Sequence, residues 1–144
     1  TGYSALCLAE GMDAQGRLIT IDSNDELESR VRGYFAASAW GEQIDYRVGD
    51  AREVIPGLTE RFDLVWIDAD KESYSLYLDL VIDKVSPGGF ILADNVLWSG
   101  KVMEPRPHKD TQAIRGFNEK ARSDSRLETM LLPLRDGILM MRKI

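Results

Sequence analysis

The sequence has one cysteine, Cys7, and one histidine, His108. A single thiol excludes an internal disulfide and fits a reducing, cytoplasmic setting best. A single imidazole removes most zinc sites and any multi-histidine centre. No apolar run approaches the ~20 residues that cross a bilayer, so no membrane partner is expected. Basic residues are outnumbered, 18 against 24 acidic, which leaves a net charge of −6. No basic stripe marks a general nucleic-acid binder. Repeats and low-complexity segments are also absent. The remainder is ordinary for a globular protein: 44% hydrophobic and 29% charged over 144 residues. That is enough chain for one domain with one core, and residues 1–144 are expected to form it.

Two short apolar runs organise the rest. One is Asp63-Leu64-Val65-Trp66-Ile67, which breaks off into Asp68-Ala69-Asp70-Lys71; the other is Phe90-Ile91-Leu92-Ala93, which breaks off into Asp94-Asn95. Such runs suit strands buried on both faces of a parallel sheet, with polar residues where the carboxyl end meets solvent. Ligands bind at that edge in open α/β sheets. Asp68, Asp94 and Asn95 then offer hard oxygen donors from two strand ends, which suits a divalent cation of the magnesium type. Lys71, one short turn further on, is placed to move a proton.

Strands and helices alternate along the chain. Residues 1–11 read as a turn running into a helix that stops at Gly11, with Cys7 a small hydrophobe inside it. A helix that begins Thr1-Gly2-Tyr3-Ser4 normally follows a strand and a glycine-rich turn, so residues are expected upstream of Thr1. Strands are predicted at 17–22, 44–50, 62–68 and 90–95. Helices are predicted at 25–40 (Leu27, Val31, Tyr34, Phe35 and Ser38 near one face), 51–55 and 72–85 (Tyr74, Tyr77, Leu78, Val81 and Ile82 inward). Ser86-Pro87-Gly88-Gly89 reads as a turn. Residues 96–110 form a long loop of the kind that often serves as a binding loop. A helix at 111–121 follows, then two strands either side of Arg135-Asp136. This is the pattern of an α/β, doubly wound, mostly parallel sheet with one antiparallel strand near the C-terminus.

Several residues admit two readings. Asp22, closing a strand, suits a ribose hydroxyl as well as it suits a helix cap. Asp50 suits an adenine amino group or the N-cap of the next helix. Asp68 alone could be a cap, but Asp94-Asn95 after a buried run is harder to explain without a cation. Trp66 is expected in the core. Trp98 could wall a flat substrate or anchor its loop. His108, between Pro107 and Lys109, reads as surface.

Together these stretches resemble a known family. Thr1-Gly2-Tyr3-Ser4, Asp22, Gly49-Asp50-Ala51, the blocks Phe62 to Lys71 and Ala93 to Gly100, Pro87-Gly88-Gly89, Ala113-Ile114-Arg115, Phe117-Asn118, Pro133-Leu134 and Asp136-Gly137 all recur in it. The chain resembles the cation-dependent, S-adenosylmethionine-using O-methyltransferases of the caffeoyl-CoA and catechol type, particularly small bacterial members. The resemblance implies that Gly2 and Ser4 hold the methionine end of the cofactor. It places Asp22 on the ribose and Asp50 with Ala51 around the adenine, with Asp68 also close to the cofactor. It implies Mg2+ (or Mn2+ or Ca2+) on Asp68, Asp94 and Asn95, Lys71 as general base, a catechol-like substrate and a homodimer. The family's N-terminal helices, first strand and glycine-rich loop have no counterpart in these residues. Arg135 stands where many relatives carry a small residue, which bears on substrate preference rather than on the chemistry. A hydroxylated tRNA base is an alternative substrate. A NAD-dependent oxidoreductase and a non-catalytic module are alternatives of another class.

Overall fold

The computed structural model describes residues 1–144. Backbone contacts divide them into two compact units, Thr1–Gly57 and Leu58–Ile144.

In the first unit, helix α1 (Tyr3–Glu10) starts at Gly2 and stops at Gly11. Gly2 has φ +78°, and a Cβ there would sit 2.8 Å from the Phe35 ring, so only glycine fits. Strand β1 (Leu18–Asp22) leads to Asn24, whose side chain accepts from the Glu26 N–H and caps a 3-10 turn, Asp25–Leu27. Helix α2 (Glu28–Ala36), strand β2 (Ile44–Val48) and the short helix α3 (Ala51–Val54) complete the unit. β1 and β2 are parallel, with Leu18 opposite Ile44 and Asp22 opposite Val48. The core is Ala5, Val31, Phe35 and Tyr46. Phe35 meets Tyr46 edge to face at 5.7 Å, and burying an aromatic ring of this kind contributes about 2 to 3 kcal/mol.

Two expectations for this unit fail for helical reasons. Tyr34 is 50% exposed: Val31 and Phe35 make the buried face of α2, and Tyr34, about 100° round the helix from Phe35, falls at its margin. Cys7 is exposed. Ala5 and Ala9 carry the buried face of α1, and a residue two positions from each lies roughly opposite. Cys7 is therefore not the buried small hydrophobe that its apolar neighbours predict.

The second unit contains β3 (Phe62–Ile67), α4 (Tyr74–Ile82), β4 (Val85–Asp94), α5 (Lys109–Ser123), β5 (Leu127–Leu132) and β6 (Ile138–Lys143). The strand order is β3-β4-β6-β5. β3 and β4 are parallel, and β6 is antiparallel to both β4 and β5, so β6 is the one reversed strand. The predicted inward stripe of α4 is buried in full. Tyr74 packs edge to face on Phe117 of α5 at 5.3 Å. Along α5, Ile114 and Phe117 turn inward with Thr111 and Ala121, while Ala113, expected on the same face, is half-buried.

Ser86 to Gly89 form no separate turn. They lie inside β4 as an irregularity, with Phe62 opposite Val85 but Leu64 opposite Phe90. A Cβ on Gly89 would come within 2.9 Å of the Ser86 carbonyl and 3.0 Å of the Asp63 carbonyl, so glycine lets the two backbones close up. β3 is an edge strand of this sheet and is only partly covered: Leu64 is exposed and Trp66 half-buried, not core. Within the predicted loop, Trp98–Met103 coil into 3-10 turns, and α5 begins at Lys109. His108 is exposed, as read. No helix is long and apolar enough to cross a membrane.

α5 gives way to β5 at Asp124, whose carboxylate accepts from the Arg126 N–H at 3.0 Å and from its guanidinium at 2.7 Å and 3.0 Å. Arg126 holds the Asp124 carboxyl down to about 2. A depressed carboxyl contributes stability above its unfolded pKa of about 3.9 and loses it as pH falls through the folded value. Asp124→Asn should therefore cost about 1 kcal/mol at pH 7. In denaturant titrations that difference should shrink between about pH 4 and pH 2; a gap that stays constant to pH 2 would assign the effect to something other than this pair.

Candidate functional site

The register of β3 and β4 builds the site. Ile67 lies opposite Ala93, so the next residues, Asp68 and Asp94, stand at adjacent strand tips, and neighbouring strands run about 4.8 Å apart. Asn95 follows with φ +62°, a left-handed conformation that asparagine tolerates better than most residues. Its N–H donates to Asp94 Oδ1 at 2.7 Å. Asn118 of α5 donates to the Val96 carbonyl at 2.9 Å and ties down the chain just beyond.

After Asp68 the chain is turned by Asp70, which accepts the Ser73 N–H at 3.0 Å and caps the 3-10 turn Lys71–Ser73. The Tyr77 hydroxyl donates to the other oxygen of Asp70 at 2.7 Å. That turn brings Lys71 back towards the strand tip. Its Nζ lies 3.1 Å from Asp68 Oδ1, 2.5 Å from the Tyr74 hydroxyl and 4.6 Å from the Tyr74 ring centre. The Lys71 side chain is 13% exposed against 47% for Asp68, so the amine is packed away while the carboxylate stays open.

Tyr74 is the residue that sequence reasoning missed, since its spacing marks it only as part of the α4 stripe. Its hydroxyl lies 3.0 Å from the Asp94 carbonyl and 3.3 Å from that of Ile67. Burial pushes its phenol well up, helped by the carboxylates of Asp68, Asp94 and Asp70. The phenol therefore keeps its proton and donates it to a main-chain carbonyl, leaving a lone pair for the Lys71 ammonium or amine N–H.

Asp68, Asp94 and Asn95 line one hollow of about 660 Å³ together with Ser99, Arg135 and Asp136. That volume suits a small molecule. Arg135 and Asp136 carry no motif that marks them as neighbours of the strand tips; the pairing of β4 with β6 brings them there, with Asp94 opposite Ile138, while Ser99 lies on the chain that leaves β4. Lys71 is not on the wall but is bonded to Asp68, which is. Trp98 is half-buried and also off the wall. No three His, Cys, Asp or Glu side chains converge as an ion site anywhere in the chain. The set here is two carboxylates and an amide, which fits a hard cation that keeps several of its own waters.

Residues 133–137 close the hollow's rim. The Gly137 N–H donates to the Leu134 carbonyl at 2.9 Å, while Val96 and Leu97 donate to the carbonyls of Gly137 (3.1 Å) and Asp136 (2.9 Å). The Ser99 N–H donates to Asp136 Oδ1. Arg135 takes φ +49°, which costs a side-chain-bearing residue about 1 kcal/mol or more relative to glycine.

In the first unit, Asp22 and Asp50 lie at the same end of the β1–β2 pair, where the Gly49 N–H donates to the Asp22 carbonyl at 2.9 Å. Asp22 Oδ1 accepts from the Asn24 N–H at 3.0 Å. Asp50 caps α3, and Arg52 contacts both of its oxygens, lowering its carboxyl pKa. Oδ1 also accepts the Arg52 N–H at 2.8 Å, so both oxygens of Asp50 are taken up by Arg52. Ser4 is exposed, Gly2 sits under Phe35, and Ala51 opens α3.

The sequence model of a family described as O-methyltransferase matches residues 1–144. Catechol O-methyltransferase domain-containing protein 1 of Mus musculus is 33% identical over 150 residues, taking in 100% of this chain and 57% of that protein. Caffeoyl-CoA O-methyltransferase of Petroselinum crispum is 32% identical over 157 residues, taking in 100% and 65%. An O-methyltransferase from Bacillus cereus, solved in complex with SAH, superposes with a TM-score of 0.91 at 25% identity, covering 99% of this chain and 70% of that one. The chain thus spans less than two thirds of the length of these two curated relatives. The superposition matches the predicted architecture, α/β and mostly parallel with one reversed strand.

The rim turn supplies a test of this geometry. A Cβ on Gly137, at φ +81°, would lie 2.5 Å from Leu97 Cγ. Gly137→Ala should lower unfolding free energy by about 2 kcal/mol, read by urea titration; a loss within experimental error would show that the turn is not clamped against Leu97.

Proposed function

Because the chain belongs to the O-methyltransferase family, matched over residues 1–144, we propose that it transfers a methyl group from S-adenosylmethionine to one hydroxyl of a catechol-like vicinal diol. The observation that carries this reading is the opening of Asp68, Asp94 and Asn95 onto one hollow of small-molecule size, with Lys71 bonded to Asp68. Nothing at these strand tips calls for a nicotinamide cofactor, and the family assignment leaves that alternative without support.

In this proposal Gly2 and Ser4 hold the methionine end of the cofactor, Asp22 the ribose, Asp50 with Ala51 the adenine, and Asp68 also lies near the cofactor. S-adenosylmethionine supplies a methyl group already activated on a sulfonium, so the protein's task is to place an oxygen nucleophile in line with it. Asp68, Asp94 and Asn95 would hold a divalent cation, magnesium first, which lowers the pKa of a chelated hydroxyl and fixes its direction. Lys71 Nζ takes the proton from the hydroxyl to be methylated. Tyr74 keeps that amine aimed, through its hydroxyl at 2.5 Å and its ring face. Trp98, half-buried and off the wall of the hollow, is given no part in holding the substrate.

The test is transfer of labelled methyl from S-adenosylmethionine to a catechol panel by the full-length protein, with and without chelator. Turnover should require the cation and vanish in Asp68→Ala and Asp94→Ala; equal rates in excess chelator would refute the cation role. Lys71→Met should lower kcat about 100-fold while cofactor affinity stays the same, and an unchanged kcat would clear Lys71 of the base role. Tyr74→Phe keeps the ring and removes the oxygen, and kcat should fall about tenfold with KM little altered. A change in KM alone would make Tyr74 part of substrate binding instead.

A further inference from the structure

Arg135 occupies a costly place for no internal benefit. It is the first central residue of the turn Leu134–Gly137, which the Gly137 N–H closes onto the Leu134 carbonyl. Its φ of +49° is one that glycine adopts freely, and hairpin turns with a positive φ there favour glycine. Backbone strain of this kind persists where the side chain has a use. Within the protein that side chain has none. Arg32, Arg47, Arg52, Arg122, Arg126 and Arg142 each pair with a carboxylate. Arg135 makes no hydrogen bond or ion pair, although Asp68, Asp94 and Asp136 line the same hollow. Each of those three has one oxygen engaged elsewhere: Asp68 by Lys71, Asp94 by the Asn95 N–H, and Asp136 by the Ser99 N–H.

The stem of Arg135 is fixed on its C-terminal side, because Asp136 and Gly137 are bonded through their carbonyls to Leu97 and Val96. A permanently charged, planar fork is thus presented to the hollow from the rim, and none of the three carboxylates there pairs with it. Guanidinium recognises carboxylate through two parallel N–H···O bonds, a geometry that a single ammonium does not offer.

We propose that Arg135 is a specificity-determining residue that selects diols carrying a carboxylate away from the two hydroxyls. The proposal rests on the reading of this hollow as the diol site: the hydroxyl end meets Asp68, Asp94 and Asn95, and the carboxylate end meets the guanidinium. A hollow of about 660 Å³ holds a single ring with both groups.

The test compares 3,4-dihydroxybenzoate with unsubstituted catechol on the full-length protein. The parent should favour the carboxylate in kcat/KM. In Arg135→Gly the ratio of the two should fall by about tenfold or more, mostly through KM, and Arg135→Lys should restore part of it. The melting temperature of Arg135→Gly should equal or exceed that of the parent, since the strain is relieved, so the lost preference cannot be laid to unfolding. A ratio within twofold of the parent's, or a parent that prefers the neutral diol, overturns the proposal. Should the parent methylate neither diol, the methyl-transfer reading fails by itself. Calorimetric binding of 3,4-dihydroxybenzoate then decides the role of Arg135: weaker binding in Arg135→Gly supports it, while equal binding or none to the parent overturns it.

Discussion

One phenolic oxygen ties the ends of β3 and β4 together. The Tyr74 hydroxyl reaches the main-chain carbonyls of Ile67 and Asp94 and, on its other side, the amine of Lys71. Tyr74 is held in turn by Phe117 and by complete burial. A polar atom so deeply buried is costly unless satisfied, so the strand tips, the turn at Asp70 and the lysine must all be in place together. That requirement makes the positions of Asp68 and Asp94 a property of the core rather than of a surface loop. Sites supported in this way are more exact than those carried by loops alone.

The polarity of the hollow follows from the same arrangement. Two strand-end carboxylates and Asp136 surround an open space, and each has one oxygen engaged by a neighbouring donor. Arg135 is the one cationic side chain that lines the hollow. Like charges gathered at a sheet edge raise one another's energy. A doubly charged ion would relieve that energy, and this is the physical ground for the cation in the proposed mechanism.

How legible this was from residues alone depended on whether the signal was local. Asp68, Asp94 and Asn95 were readable because an apolar run that stops abruptly marks both a strand and the edge where it stops. The α4 stripe was readable because its apolar residues recur at helical spacing and all five are buried. Signals that depend on a partner element were not. Tyr74 looked like one more core aromatic until its hydroxyl was placed against two carbonyls. Trp66 looked like core because its strand is apolar, but β3 lies at the edge of its sheet. Pro87-Gly88-Gly89 carries every mark of a turn, yet the chain there stays within the strand by bulging. Asp50 admits two readings from its place after a strand, and the structure shows the helix cap, with Arg52 bonded to both carboxylate oxygens.

The connection between the last two strands has a different character. Except for Asp136 and the missing side chain of Gly137, residues 133–137 are anchored only through backbone atoms, to Val96, Leu97 and one another. Backbone anchors are indifferent to what the residue at 135 carries. The hairpin tip therefore behaves as an exchangeable cassette: its exposed side chain could vary, and the lining of the hollow with it, while Asp68, Asp94, Asn95, Lys71 and the buried Tyr74 are left undisturbed.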